Sequence, residues 1–522
     1  MHHCLKILEI VDLICDHLDP HVACKWPTLG QPPFRDLARF TRTCSTFQGP
    51  GLDHLWRRAS LENLLTLCMP ADLWAVDLMG ESWTREKKLR LLRPIRTSDW
   101  NRVRLYAPRI QILWCGSAGS SLSNIFPALS VSLPERLLQN LQRLVWKPTG
   151  EDFQYIHLFL RHTLTEISFD LASDSAASLL ASLAERCPKL TDISIGGYGY
   201  NSPFVSEFVR QLRCLKKVAV PTLNQDALEH LSQLPTLRSL HLHNVPTLSA
   251  VPVMQNFRIL RSFGLSSPEI RPTVGLLQTW RAVPLIDFRV TFYDIVTAAE
   301  MHTLFNVAVT AFSHSSLGTF YIGDGSDADE HHPPMHVLPH HELRALQCFT
   351  NLTSLSIASP LGFDLDDTAV SALVPSWPRL VTLLLPVHFH AHAPRTTLAC
   401  LHSFARHCPG LRHLTIALDA TTVPTLDFRA GFARQRSLLD LDIEQSPLSI
   451  AHLSVARFLS AVFPRLREIS TAREHYNNDE DDMEEHGDAI RLHFRWKEVE
   501  AMLPDVAAIR QEARMLGEGE NE

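Results

Sequence analysis

The stretch Leu237-Arg238-Ser239-Leu240-His241-Leu242 puts apolar side chains at its first, fourth and sixth positions. The same spacing returns as Leu190/Ile193/Ile195 and Leu260/Phe263/Leu265. The fourth and sixth residues alternate with polar neighbours, the period of two that belongs to a half-buried strand. Further copies stand at Leu215/Val218/Val220, Leu285/Phe288/Val290, Leu317/Phe320/Ile322, Leu352/Leu355/Ile357, Leu380/Leu383/Leu385, Leu411/Leu414/Ile416 and Leu438/Leu441/Ile443. Toward the N-terminus the pattern continues as Leu164/Ile167/Phe169, Leu141/Leu144/Trp146 and a weak Ile110/Leu113/Cys115, and Leu466/Ile469 is a degraded last copy. From Leu141 to Leu466 twelve steps span 325 residues, a mean period of about 27. Amphipathic helical stretches, such as 176–186 with Leu179, Leu180 and Leu183, are expected between the strands. Each strand-helix unit leaves an apolar flank that only the next unit can cover. Three buried Leu or Ile side chains per unit, each contributing about 1.5–3 kcal/mol, sustain such a stack.

Over Leu141–Ser470 these segments resemble the leucine-rich-repeat family. The resemblance implies an α/β solenoid, a horseshoe with parallel strands on its concave face. The family's asparagine is largely missing; after Leu242, Val245 stands in its place.

The N-terminal residues follow another pattern. Ile7, Ile10, Val11, Ile14 and Leu18 form the stripe of an amphipathic helix, which Asp19-Pro20 ends. A loop with Pro27, Gly30, Pro32 and Pro33 follows, then two short helical patterns, Leu37/Phe40/Cys44 and Phe47/Leu52/Leu55/Trp56. The run Ile7-Leu8-Glu9-Ile10-Val11-Asp12-Leu13-Ile14, followed by Leu18-Asp19-Pro20, Thr43-Cys44-Ser45-Thr46-Phe47 and Leu55-Trp56, resembles an F-box. The continuation through Ala59–Trp74 is similar to the F-box-like proteins with leucine-rich repeats of mushroom-forming fungi. The family's early proline is replaced by Leu8, and the insertion around Trp26–Gln31 is unusual for it. The resemblance implies docking on a Skp-type adaptor, and through it a cullin, by Leu8, Glu9, Ile10, Ile14, Leu18 and Pro20.

The expected organisation is therefore an F-box-like helical module over 1–60, a helical linker and N-terminal cap over 61–140, and an irregular repeat solenoid over 141–475. An acidic linker over 476–488, with Asp479–Glu485 as a like-charge block, precedes a C-terminal cap over 489–522 that frays from Gly517. Leu492, Phe494, Trp496 and Val499 are the apolar residues of that cap.

Composition narrows the function classes. Of 522 residues, 45% are hydrophobic and 20% charged, an ordinary globular mixture. The formal charge of −7 gives no global basic excess for a nucleic-acid partner. No apolar run of 18 residues suggests a membrane span. Lys6, Glu9, Asp12 and Asp16 make the first turns unlike a secretory signal. Eleven cysteines without a Cys-x-x-Cys pair read as free thiols of the cytosol or nucleus.

Catalytic and metal-binding patterns are weak. Gly116-Ser117-Ala118-Gly119 lacks the spacing of a nucleophile elbow, and no phosphate-cradling loop ending in Lys-Ser/Thr occurs. Asp324–Glu342, rich in Asp and His, and His388/His390/His392 could offer metal ligands. Both read as polar loops, so no metal, cofactor or catalytic residue is expected.

In repeats of this kind the third and fifth residues of each copy face the concave surface. Its middle carries His241, Arg289 and Tyr321, residue types suited to anchoring a protein, and its C-terminal end carries His413, Asp440, Asp442 and Glu468, which suit a basic segment. The expected function is a non-catalytic substrate receptor of an SCF-type, cullin-RING ubiquitin ligase, holding an unknown protein target on the repeats. The alternative is a leucine-rich-repeat interaction scaffold without a ligase role, its N-terminal helices capping the array.

Overall fold

The structure is a computed structural model. It describes residues 3–19, 34–79, 86–116, 120–148, 150–171, 177–197, 203–245, 257–294, 296–325, 337–359, 362–387, 393–425, 433–471 and 487–519. The chain divides into two compact units, Met1–His230 and Leu231–Glu522. The division falls inside the expected 141–475 array.

Unit 1 opens with helices α1 (Leu8–Leu18), α2 (Arg35–Thr41) and α3 (Ser45–Trp56). Their common core is Val11, Cys15, Leu37 and Phe47, with Leu18, Phe34, Phe40 and Leu55 packed around it. Phe40 and Phe47 stack at 4.4 Å. Gly51 lets α3 press on α2, because a Cβ there would collide with the side chain of Thr41. The loop between α1 and α2, with Trp26–Gln31, lies outside the described residues.

Strand β1 (Arg58–Ser60) and helix α4 (Leu61–Cys68) follow directly. Strands β2 (Trp74–Met79) and β3 (Glu86–Leu91) pair as an antiparallel hairpin. Strand β4 (Ile112–Cys115) comes after helix α5 (Val103–Tyr106), and the short β5 (Ser120–Ser121) adds to β3. The stretch 61–140, expected to be helical, thus carries strands as well. Alternation there is masked: Lys88 and Arg90 flank Leu89, and β1 offers only the small Ala59 where other copies have a large apolar residue.

Strands β6 (Arg143–Trp146), β7 (Glu166–Asp170), β8 (Asp192–Gly196) and β9 (Lys217–Val220) continue the file. In unit 1 the order β1-β4-β6-β7-β8-β9 is parallel throughout. Ala59, Leu113, Leu144, Ile167, Ile193 and Val218 meet in register, all buried. Helix α6 (Ala177–Arg186) bridges β7 and β8, the crossover that a parallel pair requires.

Unit 2 repeats the plan. Its strands are β10 (Ser239–Leu242), β11 (Ser262–Ser267), β12 (Asp287–Phe292), β13 (Thr319–Asp324), β15 (Ser354–Ile357), β17 (Thr382–Leu384), β18 (His413–Thr415), β19 (Asp440–Asp442) and β20 (Glu468–Ser470). They form one parallel file in that order. Beside it β14 (Leu338–Pro339) and β16 (Phe363–Asp364) make a small parallel pair. Leu240, Phe263, Phe288, Phe320, Leu355, Leu383, Leu414, Leu441 and Ile469 stand in one register row, the fourth position of successive copies. Each is at most 3% exposed. Trp280 packs edge-on against Phe263 at 4.7 Å, and Phe288 meets Phe320 at 5.2 Å. Parallel neighbours in register and a row buried at the same position of successive copies make each unit an α/β leucine-rich-repeat solenoid.

Helix α7 (Ala298–Ala311) starts with a capping box in which Thr297 and Glu300 satisfy each other's backbone amides. Helices α8 (His452–Val462) and α9 (Gly487–Gly519) close the unit. Trp496, Val499, Leu503 and Val506 are buried at helical spacing, and Trp496 Nε1 donates to Ser446 O at 2.9 Å. Phe494, expected in the cap, is 58% exposed because it falls on the opposite side of that stripe. Glu500 accepts the amide of Ile469 at 2.6 Å, on the last strand of the file. The acidic block Asp479–Glu485 lies outside the described residues. Among the described residues no helix is long and apolar enough to cross a membrane.

Candidate protein-interaction surfaces

In a parallel ladder, residues in register on neighbouring strands project to the same face. The fifth position of successive copies in unit 2 reads His241, Gly264, Arg289, Tyr321, Ser356, Leu384, Thr415, Asp442 and Ser470. Three of the sequence-predicted residues, His241, Arg289 and Tyr321, therefore stand in one row within four strands. Asp442 lies far along the same row. His413 and Asp440 occupy the third-position row on adjacent strands.

Arg289 Nε donates to Asp287 Oδ1 at 2.9 Å, and Ser262 Oγ donates to Asp287 Oδ2 at 3.2 Å. This clamp aims an arginine that is 59% exposed. His241 lies across Gly264, where a Cβ would collide with its ring. Tyr321 lies over Gly323 and Tyr293 over Gly325 for the same reason. Three glycines on this face thus seat three rings against the backbone, which fixes them without enclosing them. His243 meets His241 edge-on at 5.0 Å. Burial lowers the pKa of both imidazoles, and for His241 a charge on His243 lowers it further. Both rings are neutral near pH 7, each with a donor and an acceptor nitrogen.

The C-terminal end of the face is less open than its acidic sequence suggests. His413 Nδ1 donates to Asp440 Oδ2 at 2.6 Å, and Asp442 Oδ1 accepts the amide of Glu444 at 3.0 Å. The alternation that marks His241, Arg289 and Tyr321 does not single out His243 or Tyr293. For Tyr293 the sequence signal is Gly325, a glycine that marks close approach to the backbone.

A second surface lies on α1. Val11 and Cys15 are buried and Leu18 packs beside them. Ile10 and Ile14 are half-buried, while Ile7, Leu8 and Leu13 are 48%, 60% and 58% exposed. Glu9 is exposed, and Pro20 lies outside the described residues. On the other flank of the helix, His54 of α3 is buried beside Asp12 at 3.7 Å and Asp16 at 3.6 Å. The module is fastened to the following repeats by Arg58 with Asp19 at 3.6 Å, by Arg109 with Asp53, and by Trp56 stacked on Tyr106 at 4.6 Å.

No group of three metal-ligating side chains occurs among the described residues. Most of Asp324–Glu342, and His388, His390 and His392, lie outside them. Cys15, Cys68, Cys115, Cys187, Cys400 and Cys408 are buried, whereas Cys214 is exposed. Burial raises the pKa of Cys15 and Cys187 to about 11, too high for a ready nucleophile.

No model of a known protein family and no curated protein matches the chain. Solved structures do. An internalin from Listeria monocytogenes is 13% identical, with 70% of this chain and 88% of that one covered and a TM-score of 0.36. Rad7, solved as a complex with Elc1 in yeast, is 13% identical over 90% of this chain and 94% of its own, at a TM-score of 0.39. A leucine-rich repeat-containing protein, LegL7 from Legionella pneumophila, is 13% identical over 52% and 90%, at 0.31. At these values the repeat assignment stands on the register and burial already described.

Proposed function

We propose that the chain is a non-catalytic substrate receptor of an SCF-type ubiquitin ligase: α1–α3 dock a Skp-type adaptor, which brings a cullin, and the repeats hold a protein target. The observation that carries the reading is the double-sided apolar character of α1. Val11, Cys15 and Leu18 serve the core of the module, yet the exposed Leu13 with the half-buried Ile10 and Ile14, at helical spacing, leaves a second apolar flank uncovered. A helix needs one apolar face to fold onto its neighbours; a second one has a use when a partner covers it. Leu8, Glu9, Ile10, Ile14, Leu18 and Pro20 are the proposed adaptor contacts. On the repeats, His241, Arg289 and Tyr321 are the proposed target anchors, with His413, Asp440 and Asp442 further along. Such a receptor accelerates transfer by proximity and supplies no reacting group. Its place would be the cytoplasm or nucleus.

The second reading is a scaffold in which α1–α3 cap the first repeats. The contacts of Arg58 with Asp19 and of Trp56 with Tyr106 favour it. Co-purification separates the two. Under the first reading the intact chain captures the adaptor, and Ile10→Asp with Ile14→Asp abolishes capture while circular dichroism stays unchanged. Failure of the intact chain to retain any adaptor leaves the scaffold.

A further inference from the structure

The acidic balance of the whole chain conceals a local reversal. Residues 85–109 hold nine arginines and lysines against two acidic residues, in a chain of formal charge −7. In unit 1 the described part of this stretch, from Glu86, runs from β3 through a 3₁₀ turn, Thr97–Trp100, into α5. The carboxylates described around it are already engaged. Asp77 holds Arg90 at 3.1 Å, Asp72 and Asp99 hold Arg93 at 2.9 and 2.7 Å, and Asp53 holds Arg109. Arg96, Arg102 and Arg104 are exposed and have no ion-pair partner among the described residues. Exposed aliphatic side chains lie in the same region: Val76, Leu92 and Leu105 are 53%, 54% and 67% exposed. Leu105 also lines a surface cleft with Arg57 and Arg109, in which Asp53 pairs with Arg109 and Asp12 lies beside His54.

We propose that the exposed surface of this basic stretch binds an acidic polypeptide segment in which carboxylates alternate with aliphatic side chains. Charge complementarity selects the sign of the partner, and the exposed leucines among the free arginines select its apolar component. A nucleic acid fits less well. Trp56 and Tyr106 are stacked on each other and Trp100 is buried, so these rings are closed to bases, and α5 is a single turn, too short to enter a major groove. An anionic membrane fits less well too, because the aliphatic residues sit on separate short elements and not along one amphipathic helix. The residues differ from the outer flank of α1, so the inference is independent of adaptor docking.

The test titrates the full chain into labelled probes, followed by fluorescence anisotropy: a peptide alternating Glu and Leu, a Glu/Ser peptide of equal charge, a single-stranded oligonucleotide, and vesicles containing phosphatidylserine. The Glu/Leu peptide is expected to bind tightest and to weaken as salt is raised. Combined Arg96→Glu, Arg102→Glu and Arg104→Glu should cost at least about tenfold in its affinity. Leu105→Ser should weaken Glu/Leu binding and leave Glu/Ser binding unchanged. The milder Arg→Gln set, checked for an unaltered unfolding curve, guards against loss of fold. Tighter binding of the oligonucleotide or the vesicles, equal binding by the parent and both arginine sets, or no peptide binding at all overturns the proposal.

Discussion

Gly264 lies beside the imidazole of His241 on the neighbouring strand, so close that a Cβ would collide with the ring. Gly264→Ala is therefore expected to swing His241 out toward solvent. Its pKa, held down by burial, should then rise toward the ordinary histidine value. An NMR titration of the imidazole reads this directly; an unshifted midpoint shows that the ring was never seated there. The added methyl should cost about 1–3 kcal/mol at most.

Acidification should weaken unit 2 through the same pair. Both His241 and His243 titrate below 6.5 in the folded chain. The unfolded chain takes up protons first, so their contribution is fully present above pH 6.5 and is lost as pH falls through the depressed folded values. Urea unfolding across this window should show a shallower pH dependence in the His241→Asn, His243→Asn double variant than in the parent. Identical slopes count against the pair.

In the N-terminal module, Gly51→Ala should push α3 off α2, since the new Cβ would fall on Thr41, itself buried and hydrogen-bonded through Oγ1 to Leu37 O. A loss of about 1–3 kcal/mol is expected from such overpacking, seen as a lower urea midpoint. A midpoint unchanged from the parent means the two helices are not in close contact.

Two positions on α1 should behave oppositely. Val11 is fully buried and Leu13 is 58% exposed. Val11→Ala should destabilise by more than about 1 kcal/mol, whereas Leu13→Ala stays within about 0.5 kcal/mol. Equal losses at both positions contradict the orientation of the helix.

At the other end of the chain, Trp496→Phe removes the hydrogen bond to Ser446 and part of a buried ring, and should cost about 1–3 kcal/mol. Trp496→Ala also empties a buried site and should cost about 3–5 kcal/mol. Thermal unfolding distinguishes them, and a neutral alanine variant places α9 away from the repeats.

The repeat file was legible because its signal is redundant. Leu240, Phe263 and Phe288 each obey the same spacing, so one degraded copy does not hide the period. Strand β1 was not legible, since Ala59 is too small to read as a core residue without its neighbour Leu113. The β2–β3 hairpin was obscured because charged residues alternate with Leu89 and Leu91. On the strand face, alternation picks out His241, Arg289 and Tyr321 but says nothing of how a ring leans. That depends on the neighbouring strand, where Gly264 comes 23 residues later in the chain. The pairing of His413 with Asp440 was hidden in the same way: the acid is visible in sequence, its hydrogen-bonding partner a register away is not.

Glu500 has a consequence beyond the helix that carries it. The last ribbon of a parallel array offers a row of unsatisfied amides, onto which a foreign chain could crystallise rung by rung. A carboxylate parked on the Ile469 amide takes the first rung out of service. An incoming strand would have to displace that carboxylate before its first bond could form, a toll set at the very place where repetition could otherwise pass from one molecule to the next.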